Sequence, residues 1–260
     1  MKISTYNVNS VNARLENLLN WLNQTKPDIV LLQEIKTEFN SFPFLEIQSA
    51  GYNVQVLGQK SYNGVAVLSK HKIELIQENL PNFADENARY LEVKTGGIRV
   101  ASVYLPNGNP PYNAPDDETK FIYKLKWMEA FYKHAQNLLS LNEPILLGGD
   151  FNVIQTEKDV YDIKPYINNA LYKKDVRNRL NAFQYLGFYD AFRSFHQNDP
   201  GYTFWDYSGQ ALAADFGMRI DYIFLSPILA DKLVSCQVDK SPRTSDKPSD
   251  HTPLTVELSL

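Results

Sequence analysis

The segment Pro144-Ile-Leu-Leu-Gly-Gly-Asp-Phe-Asn-Val153 joins a short apolar run to two glycines and then to polar residues. A short apolar run of this kind is typical of a buried strand. Side chains two positions apart on an extended chain point to the same side. The segment therefore predicts a buried strand whose end turns Asp150 and Asn152 towards one spot at the mouth of a sheet.

Strand-like and helix-like segments alternate along the rest of the chain. Ile3–Val8 and Asp28–Glu34 are apolar enough to predict strands, and Ser10–Gln24 lies between them with leucines at helical spacing. Apolar residues recur every three or four positions over Thr119–Leu139, which predicts a long helix. The alternation indicates an α/β chain with sheets covered by helices. No shift in composition marks a boundary, so we expect one domain over residues 1–260.

The bulk composition limits the classes of function. The chain has 260 residues, of which 43% are hydrophobic, and a formal net charge of −4. An acidic chain binds nucleic acid only through local basic patches. Its single cysteine, Cys236, excludes an internal disulfide and is typical of a reducing compartment. With no signal-peptide pattern and no apolar run near about 20 residues, we expect a cytoplasmic protein without membrane contact, and a monomer.

Polar residues stand at the ends of most predicted strands, not only after the segment quoted first. They are Asn7, Glu34, Tyr104, Asn107, Asp150, Asn152, Asp221, Asp250 and His251. Taken singly, each has an ordinary explanation, because a strand-end carboxylate is usually solvated and Gly-Gly-Asp is often a turn. Strand ends of a twisted sheet can converge on one crevice, so the repeated pattern favours a common site.

The residue types in this set are suited to phosphate chemistry. Glu34 and Asp250 offer hard oxygen ligands, which favour Mg²⁺ or Mn²⁺ over zinc. Asp150 is suited to orienting a water molecule, and His251 to facing the negative charge that develops on a phosphate. Amide groups and a phenol supply neutral donors for phosphate oxygens. The set predicts hydrolysis of a phosphate ester.

Seven short motifs follow one another in a recognisable order. They are Tyr6-Asn7-Val8-Asn9, Leu32-Gln33-Glu34, Asn63-Gly64-Val65-Ala66, Tyr104-Leu-Pro-Asn107, Gly149-Asp150-Phe151-Asn152, Arg219-Ile-Asp221-Tyr222 and Pro248-Ser-Asp250-His251. Together they resemble the exonuclease III family of DNA-repair nucleases over the whole chain. The resemblance implies a deoxyribonuclease I-like, four-layer α/β sandwich of two mixed sheets flanked by helices, within the endonuclease/exonuclease/phosphatase superfamily.

The resemblance also implies roles around a divalent metal, Mg²⁺ or Mn²⁺. Glu34 would hold the metal, with Asn7 close by and Asp250 joining it. Asp150 would position the attacking water. Asn9 departs from the family pattern, because some relatives have an acidic residue there, and this leaves the number of carboxylates around the metal open.

A second group of matching residues would contact the scissile phosphate. The resemblance implies that Asn152 binds this phosphate and that His251, paired with Asp221, contacts it. Tyr104 and Asn107 would also reach it.

The remaining matches imply contacts with double-stranded DNA. Lys124 would lie near the DNA backbone, and Phe204, Trp205, Met218 and Ile220 would line a pocket for a flipped-out abasic sugar. Ordinary core packing is the alternative for both aromatic residues. Met218 replaces an aromatic residue of some relatives, which bears on the shape of the pocket.

The function implied is metal-dependent cleavage of duplex DNA 5′ to abasic sites, with trimming of 3′ ends. One alternative keeps the fold but acts on another phosphate ester, as in sphingomyelinases and inositol-phosphate phosphatases. Another is a binding module that has lost its chemistry, which would show a replaced Glu34, Asp150, Asp221 or His251. The basic cluster at residues 173–179 fits either a solvated helix face or a contact with the DNA backbone.

Overall fold

Two six-stranded sheets form the centre of the computed structural model, which describes residues 1–208 and 210–260. In this part of the chain the strands are β1 (Lys2–Asn7), β2 (Ile29–Gln33), β3 (Asn53–Leu57), β4 (Val65–Ser69), β5 (Ile73–Glu78), β6 (Tyr90–Thr95), β7 (Ile98–Tyr104), β8 (Ile145–Asp150), β9 (Tyr189–Asp190), β10 (Asp221–Leu225), β11 (Leu233–Val238) and β12 (Leu254–Leu258). The α-helices are α1 (Leu15–Thr25), α2 (Phe44–Ser49), α3 (Thr119–Ser140), α4 (Lys174–Tyr185) and α5 (Pro227–Ala230).

Both sheets mix parallel and antiparallel pairing. The strand order is β11-β12-β1-β2-β4-β3 in the first sheet and β5-β6-β7-β8-β10-β9 in the second. In the first sheet β1 pairs in parallel with β2, and in the second β7 pairs in parallel with β8. The other neighbouring strands pair antiparallel.

Strand β2 shows why the central strands are apolar at every position. Ile29 and Leu31 face the core between the two sheets, while Val30 and Leu32 face the core beneath α1 and α2. Successive side chains of a strand point to opposite faces, so a strand covered on both sides exposes none of them. Fully burying each such side chain contributes about 1.5–3 kcal/mol to folding.

Three apolar cores separate four layers. The first lies between the sheets and the second beneath α1 and α2. In the third, Trp127 and Phe131 of α3 and Phe183 of α4 pack on the second sheet. The expected four-layer α/β sandwich is therefore confirmed. That the chain forms one domain stays a prediction, which the core shared by the two sheets supports.

Both helices predicted from the sequence are present, and one of them starts later than predicted. Helix α3 begins at Thr119 as predicted, but α1 begins at Leu15 and not at Ser10. Asn9 and Ser10 have φ angles of 45° and 85°, which are outside the helical range. No helix in residues 1–208 and 210–260 is both long and apolar enough to cross a membrane.

The strand ends that carry polar residues meet at one edge of the sandwich. In the parallel pair of the second sheet, Tyr104 lies beside Asp150. Strand β10 begins at the same edge, because Asp221 pairs with Asp150. In the first sheet, Asn7 ends β1, and β12 starts shortly after His251 and runs antiparallel to β1. Each sheet therefore contributes part of the crevice.

Candidate active site

A buried line of charged groups runs through the centre of the crevice. His251 Nδ1 lies 2.8 Å from Asp221 Oδ2, and His251 Nε2 lies 3.7 Å from Asp150 Oδ2. Burial alone would lower the pKa of His251, but the carboxylates of Asp221 and Asp150 outweigh burial and raise it to about 10. His251 is therefore a cation near neutral pH, with its Nδ1 proton donated to Asp221.

The Asp150 carboxylate lies next to this imidazolium. Burial raises the pKa of Asp150 to about 7; Asp221 and Glu34 add to this rise, and His251 opposes it. Its Oδ1 accepts the backbone N–H of Asn152 at 2.9 Å. The sequence predicted that these two side chains would face one spot from an extended segment. The strand instead ends at Asp150 and Asn152 is left-handed, with φ 48°, so a turn closed by this hydrogen bond brings the two residues together.

Asn7 connects the two sheets at the site. Its Nδ2 donates to Glu34 Oε1 and to Asp150 Oδ2, each at 2.9 Å. Its Oδ1 accepts the backbone N–H of Asn9 at 3.0 Å. The amide oxygen therefore faces the turn after β1, and the side chain acts as a donor between the two carboxylates. The implied place of Asn7 close to the metal stays a prediction, which its contact with Glu34 supports.

Glu34 lies at the end of β2 in a left-handed conformation, with φ 49°. Its Oε2 pairs with Lys36 Nζ at 2.7 Å. Burial would raise the pKa of Glu34, but Lys36 and the hydrogen bond from Asn7 outweigh it and hold that pKa below its ordinary value. Glu34 is therefore an ionised carboxylate facing the crevice.

The fit of these residues to a metal ion depends on the carboxylates. Glu34, Asp150 and His251 each offer one atom, and the three atoms lie within 4.8 Å of one another. A histidine binds a metal only as neutral imidazole, and His251 is held protonated. The carboxylate oxygens of Glu34 and Asp150 are the type of ligand that a hard divalent cation prefers. A further carboxylate oxygen, the buried Oδ1 of Asp221, has no hydrogen-bond partner among the described residues.

Asp250 does not belong to that group of three. Its Oδ1 accepts from Asn9 Nδ2 at 2.9 Å, across the turn that follows β1. Asp250 therefore helps to hold this turn, and its implied place at the metal stays a prediction.

Two amides and a phenol form the rim of the crevice beside Asp150. Asn107 Nδ2 donates to Asn152 Oδ1 at 3.1 Å, and Asn152 Nδ2 donates to the carbonyl of Leu105 at 3.0 Å. One N–H of each amide stays available for a ligand. Burial raises the pKa of Tyr104 well above its ordinary value, and Glu34 and Asp150 add to this rise, so its hydroxyl keeps its proton.

An apolar wall adjoins the charged groups. The rings of Phe204 and His251 meet edge to face with centroids 5.0 Å apart. Met218 and Ile220 pack with Leu171 in one buried cluster, and Phe204 packs against that cluster. The expected slot residues Phe204, Met218 and Ile220 are thus neighbours.

Trp205 belongs to the core and not to this wall. Its side chain is fully buried, and its Nε1 donates to Asp215 Oδ1 at 3.0 Å. Phe204 is half-buried against His251, whereas Trp205 exposes none of its side chain. The implied pocket role of Trp205 is corrected in favour of core packing.

Lys124 is likewise not at the surface. Its exposure is 0%, and its Nζ donates to three backbone carbonyls. A phosphate of duplex DNA cannot reach a side chain buried beneath the loops. The implied contact of Lys124 with the DNA backbone is therefore wrong.

The basic cluster at residues 173–179 is partly engaged within the chain. Lys173 Nζ lies 4.2 Å from the centroid of the Phe121 ring, and the Arg177 guanidinium lies 4.1 Å from that of the Tyr172 ring. Both interpretations of this cluster stay predictions.

Two contributors to the site were missed in the sequence. Lys36 neutralises Glu34, and Ser249 Oγ donates to the carbonyl of Asn7 at 2.7 Å. Ser249 Oγ also accepts the backbone N–H of His251, which fixes the loop before β12. A lysine two residues after Glu34 was the only available signal for the first, and the Ser-Asp-His motif contained the second.

Comparison with known proteins gives consistent matches over the chain. Residues 4–251 match the model of the endonuclease/exonuclease/phosphatase family. Exodeoxyribonuclease III of Haemophilus influenzae is 28% identical, with 99% of this chain and 100% of the relative covered. An AP endonuclease from Archaeoglobus fulgidus has a TM-score of 0.95 at 35% identity, and a Neisseria 3′ phosphatase solved with a product DNA hairpin has 0.95 at 34%; each comparison covers 100% of both chains.

Proposed function

Since the chain belongs to the endonuclease/exonuclease/phosphatase family, we propose that it is a DNA-repair nuclease that cleaves duplex DNA 5′ to abasic sites and trims 3′ ends. The observation that carries the proposal is the buried line Asp221–His251–Asp150 beside Glu34. The names of the relatives support both activities: one is an AP endonuclease and another a 3′ phosphatase.

Asp150 is the group we assign to the attacking water. A carboxyl group with a pKa of about 7 can take up and release a proton near neutral pH. Water hydrogen-bonded to Asp150 would attack phosphorus in line with the departing 3′ oxygen, and its proton would pass to the carboxylate. The amide of Asn7 holds Oδ2 of this carboxylate in place.

His251 is assigned to the phosphate as a cation. Its pKa of about 10 leaves it charged, so it stabilises the negative charge of the transition state and does not act as a base. The free N–H groups of Asn152 and Asn107 and the hydroxyl of Tyr104 are assigned to the phosphate oxygens.

Glu34, an ionised carboxylate at the crevice, would hold the divalent metal, which we propose to be Mg²⁺ or Mn²⁺ from the hardness of carboxylate oxygen. When bound, such an ion supplies Lewis-acid stabilisation of charge on the phosphate. Lys36 and Asn7 each occupy one acceptor position of Glu34, and a carboxylate has about four such positions, so lone pairs remain for a ligand.

The substrate assignment rests on the apolar slot. Phe204, Met218 and Ile220 offer no polar group to a base edge, which suits a sugar that has lost its base. We further propose a monomer in the cytoplasm, which the buried free thiol of Cys236 supports.

The test uses a duplex oligonucleotide with one synthetic abasic site and the same duplex without it. We expect incision on the 5′ side of the abasic site with Mg²⁺ and none with a chelator. Asp150→Asn should slow incision by at least about 10²- to 10³-fold, because it removes the acceptor for the water proton. Asp231→Asn makes the same change at an exposed position after α5 and should keep the wild-type rate.

The outcomes separate the alternatives. Removal of nucleotides or phosphate from 3′ ends without incision would restrict the function to 3′-end trimming. Cleavage of neither duplex would contradict the proposal and favour another phosphate ester or a binding role.

A further inference from the structure

Lys124 joins three segments of the chain at the rim of the crevice. Its Nζ donates to the carbonyls of Asn107 at 3.0 Å, Asn152 at 2.7 Å and Ala170 at 3.0 Å. The first carbonyl follows β7, the second follows β8, and the third precedes α4. Three carbonyls use all three N–H bonds of an ammonium group.

The side chain is enclosed along its length. Gly108 lies against it with φ 85°, and a Cβ at this glycine would come 2.6 Å from Lys124 Cδ. Buried lysines are rare because removing the charge from water is costly. Burial lowers the pKa of Lys124 to about 7, with Asp150 opposing the shift. A buried lysine is usually kept, despite this free-energy cost, where it organises the groups around it.

The three segments carry different parts of the site. Asn107 and Asn152 are the rim amides, bonded to one another at 3.1 Å. Ala170 precedes Leu171, which packs in the apolar cluster with Met218 and Ile220. The backbone N–H of Ala170 also donates to Asn109 Oδ1 at 3.0 Å. One nitrogen atom therefore connects the phosphate rim to the apolar slot.

We infer that Lys124 is a positioning residue that sets the distance between the two rim amides and the apolar slot without touching DNA. The roles of Asn107 and Asn152 in this inference rest on the proposed function. The connection between the three segments does not, so it can be tested separately.

The experiment compares Lys124→Met with Lys126→Met, which makes the same change at an exposed position of the same helix. We expect Lys124→Met to lower kcat on the abasic duplex by about 10- to 100-fold, since displacement of positioning groups by about 1 Å can cost 100-fold. KM should change less than threefold. Amide hydrogen exchange should accelerate within residues 105–110, 151–155 and 168–172 and stay unchanged in β1 and β2.

A second pair of variants keeps the lysine. Gly108→Ala and Gly97→Ala both place alanine at a positive φ, 85° and 82°, but the Cβ at Gly97 meets nothing within 4 Å. We expect Gly108→Ala to show the same faster amide hydrogen exchange in the three segments and the same loss of kcat as Lys124→Met. Gly97→Ala should show neither change. This pair decides the question if Lys124→Met does not fold.

The salt dependence of DNA binding separates this inference from a direct contact. A lysine that touches a phosphate lowers the salt slope by about one when it is removed, and a positioning residue leaves the slope unchanged. A lower slope, or wild-type exchange in the three segments of both Lys124→Met and Gly108→Ala, would overturn the inference. If the wild type cleaves neither duplex, the proposed function fails, while the exchange data still decide whether Lys124 joins the segments.

Discussion

At the scale of single residues, the pair of Asp221 and His251 determines which chemistry the crevice supports. The carboxylate accepts from Nδ1 at 2.8 Å, so Nε2 is left facing Asp150. Both side chains are almost fully buried, and a buried charge without its partner is strongly destabilised. Asp221 therefore sets both the charge and the orientation of the imidazole.

Replacing the Asp221 carboxylate with an amide should separate the effect of its charge from the effect of its size. Asp221→Asn keeps the size of the side chain but removes the charge, so the pKa of His251 should fall from about 10. We expect cleavage to slow by about 10²- to 10⁴-fold, because a neutral or misoriented imidazole no longer stabilises the phosphate charge. NMR titration of His251 and single-turnover cleavage would measure the two effects, with Asp231→Asn as the control. An unchanged rate together with a lowered pKa would show that the charge of His251 is dispensable.

The types of residue at the strand ends predicted the crevice, but they did not predict which of the other matching side chains are buried. Polar residues at strand ends located Asp150, Asp221 and His251, because strand periodicity and the edge of a sheet follow from local sequence. Lys124 and Trp205 also matched the family motifs, yet both lie inside the protein. Whether a lysine on a helix points to solvent or beneath a loop depends on loops distant in sequence, here those at Asn107, Asn152 and Ala170.

At the scale of the elements, a buried polar network joins α3 to the second sheet. Glu92 of β6 accepts from His134 Nε2 of α3 at 2.7 Å and from the Tyr90 hydroxyl at 2.6 Å, and it pairs with Arg99 of β7. Burial would raise the pKa of Glu92, but the hydrogen bonds from His134, Tyr90 and Arg99 outweigh burial and lower it. The ionised carboxylate is therefore the form that the fold stabilises.

Because of this network, the free energy of unfolding should depend on pH in the acidic range. A carboxyl group whose pKa is lowered on folding stabilises the protein above its unfolded pKa of about 4.3, and the stabilisation is lost as the pH falls through the folded pKa. We expect Glu92→Gln to lower the free energy of unfolding at pH 7 by about 3 kcal/mol. The difference from wild type should shrink below about pH 4.

Urea unfolding at several pH values would measure this, with Glu143→Gln as the control. Glu143 also pairs with Arg99, but at the half-exposed end of the network. Equal losses for the two variants at pH 7 would contradict the assignment of the stabilisation to burial.

The strands that the sequence did not reveal are those at the sheet edges. β3, β5, β9 and β11 each end a sheet, and each leaves some of its side chains exposed. An edge strand is covered on fewer sides than a central one, so its sequence mixes polar and apolar residues without a clear period. The central strands, buried on both faces, were recognisable as apolar runs.

At the scale of the whole molecule, the two sheets depend on one shared core. Leu31 of the first sheet lies in this core, and a Cβ at Gly148 of the second sheet would come 2.9 Å from its Cδ1. The sheets are therefore in direct contact through side chains that interdigitate closely.

A cavity in this shared core should weaken both sheets at once. We expect Leu31→Ala to lower the free energy of unfolding by about 2–5 kcal/mol, with a single transition that coincides for fluorescence and circular dichroism. Leu75→Ala removes the same atoms from edge strand β5, where the side chain is 45% exposed, and should cost much less. Two separate transitions would show that the sheets fold independently and would contradict the prediction of one domain.

The position of β12 next to β1 has a consequence for the nascent chain during translation. His251 and strand β12, which pairs with β1, are synthesised only after about 250 residues. Until then the chain contains Glu34 and Asp150 but lacks the imidazolium and the Ser249 bond that closes the turn around Asn7. A nascent chain therefore cannot assemble the complete crevice before residue 251 has been added, so Glu34 and Asp150 stay without their cationic neighbour throughout the synthesis of the preceding strands.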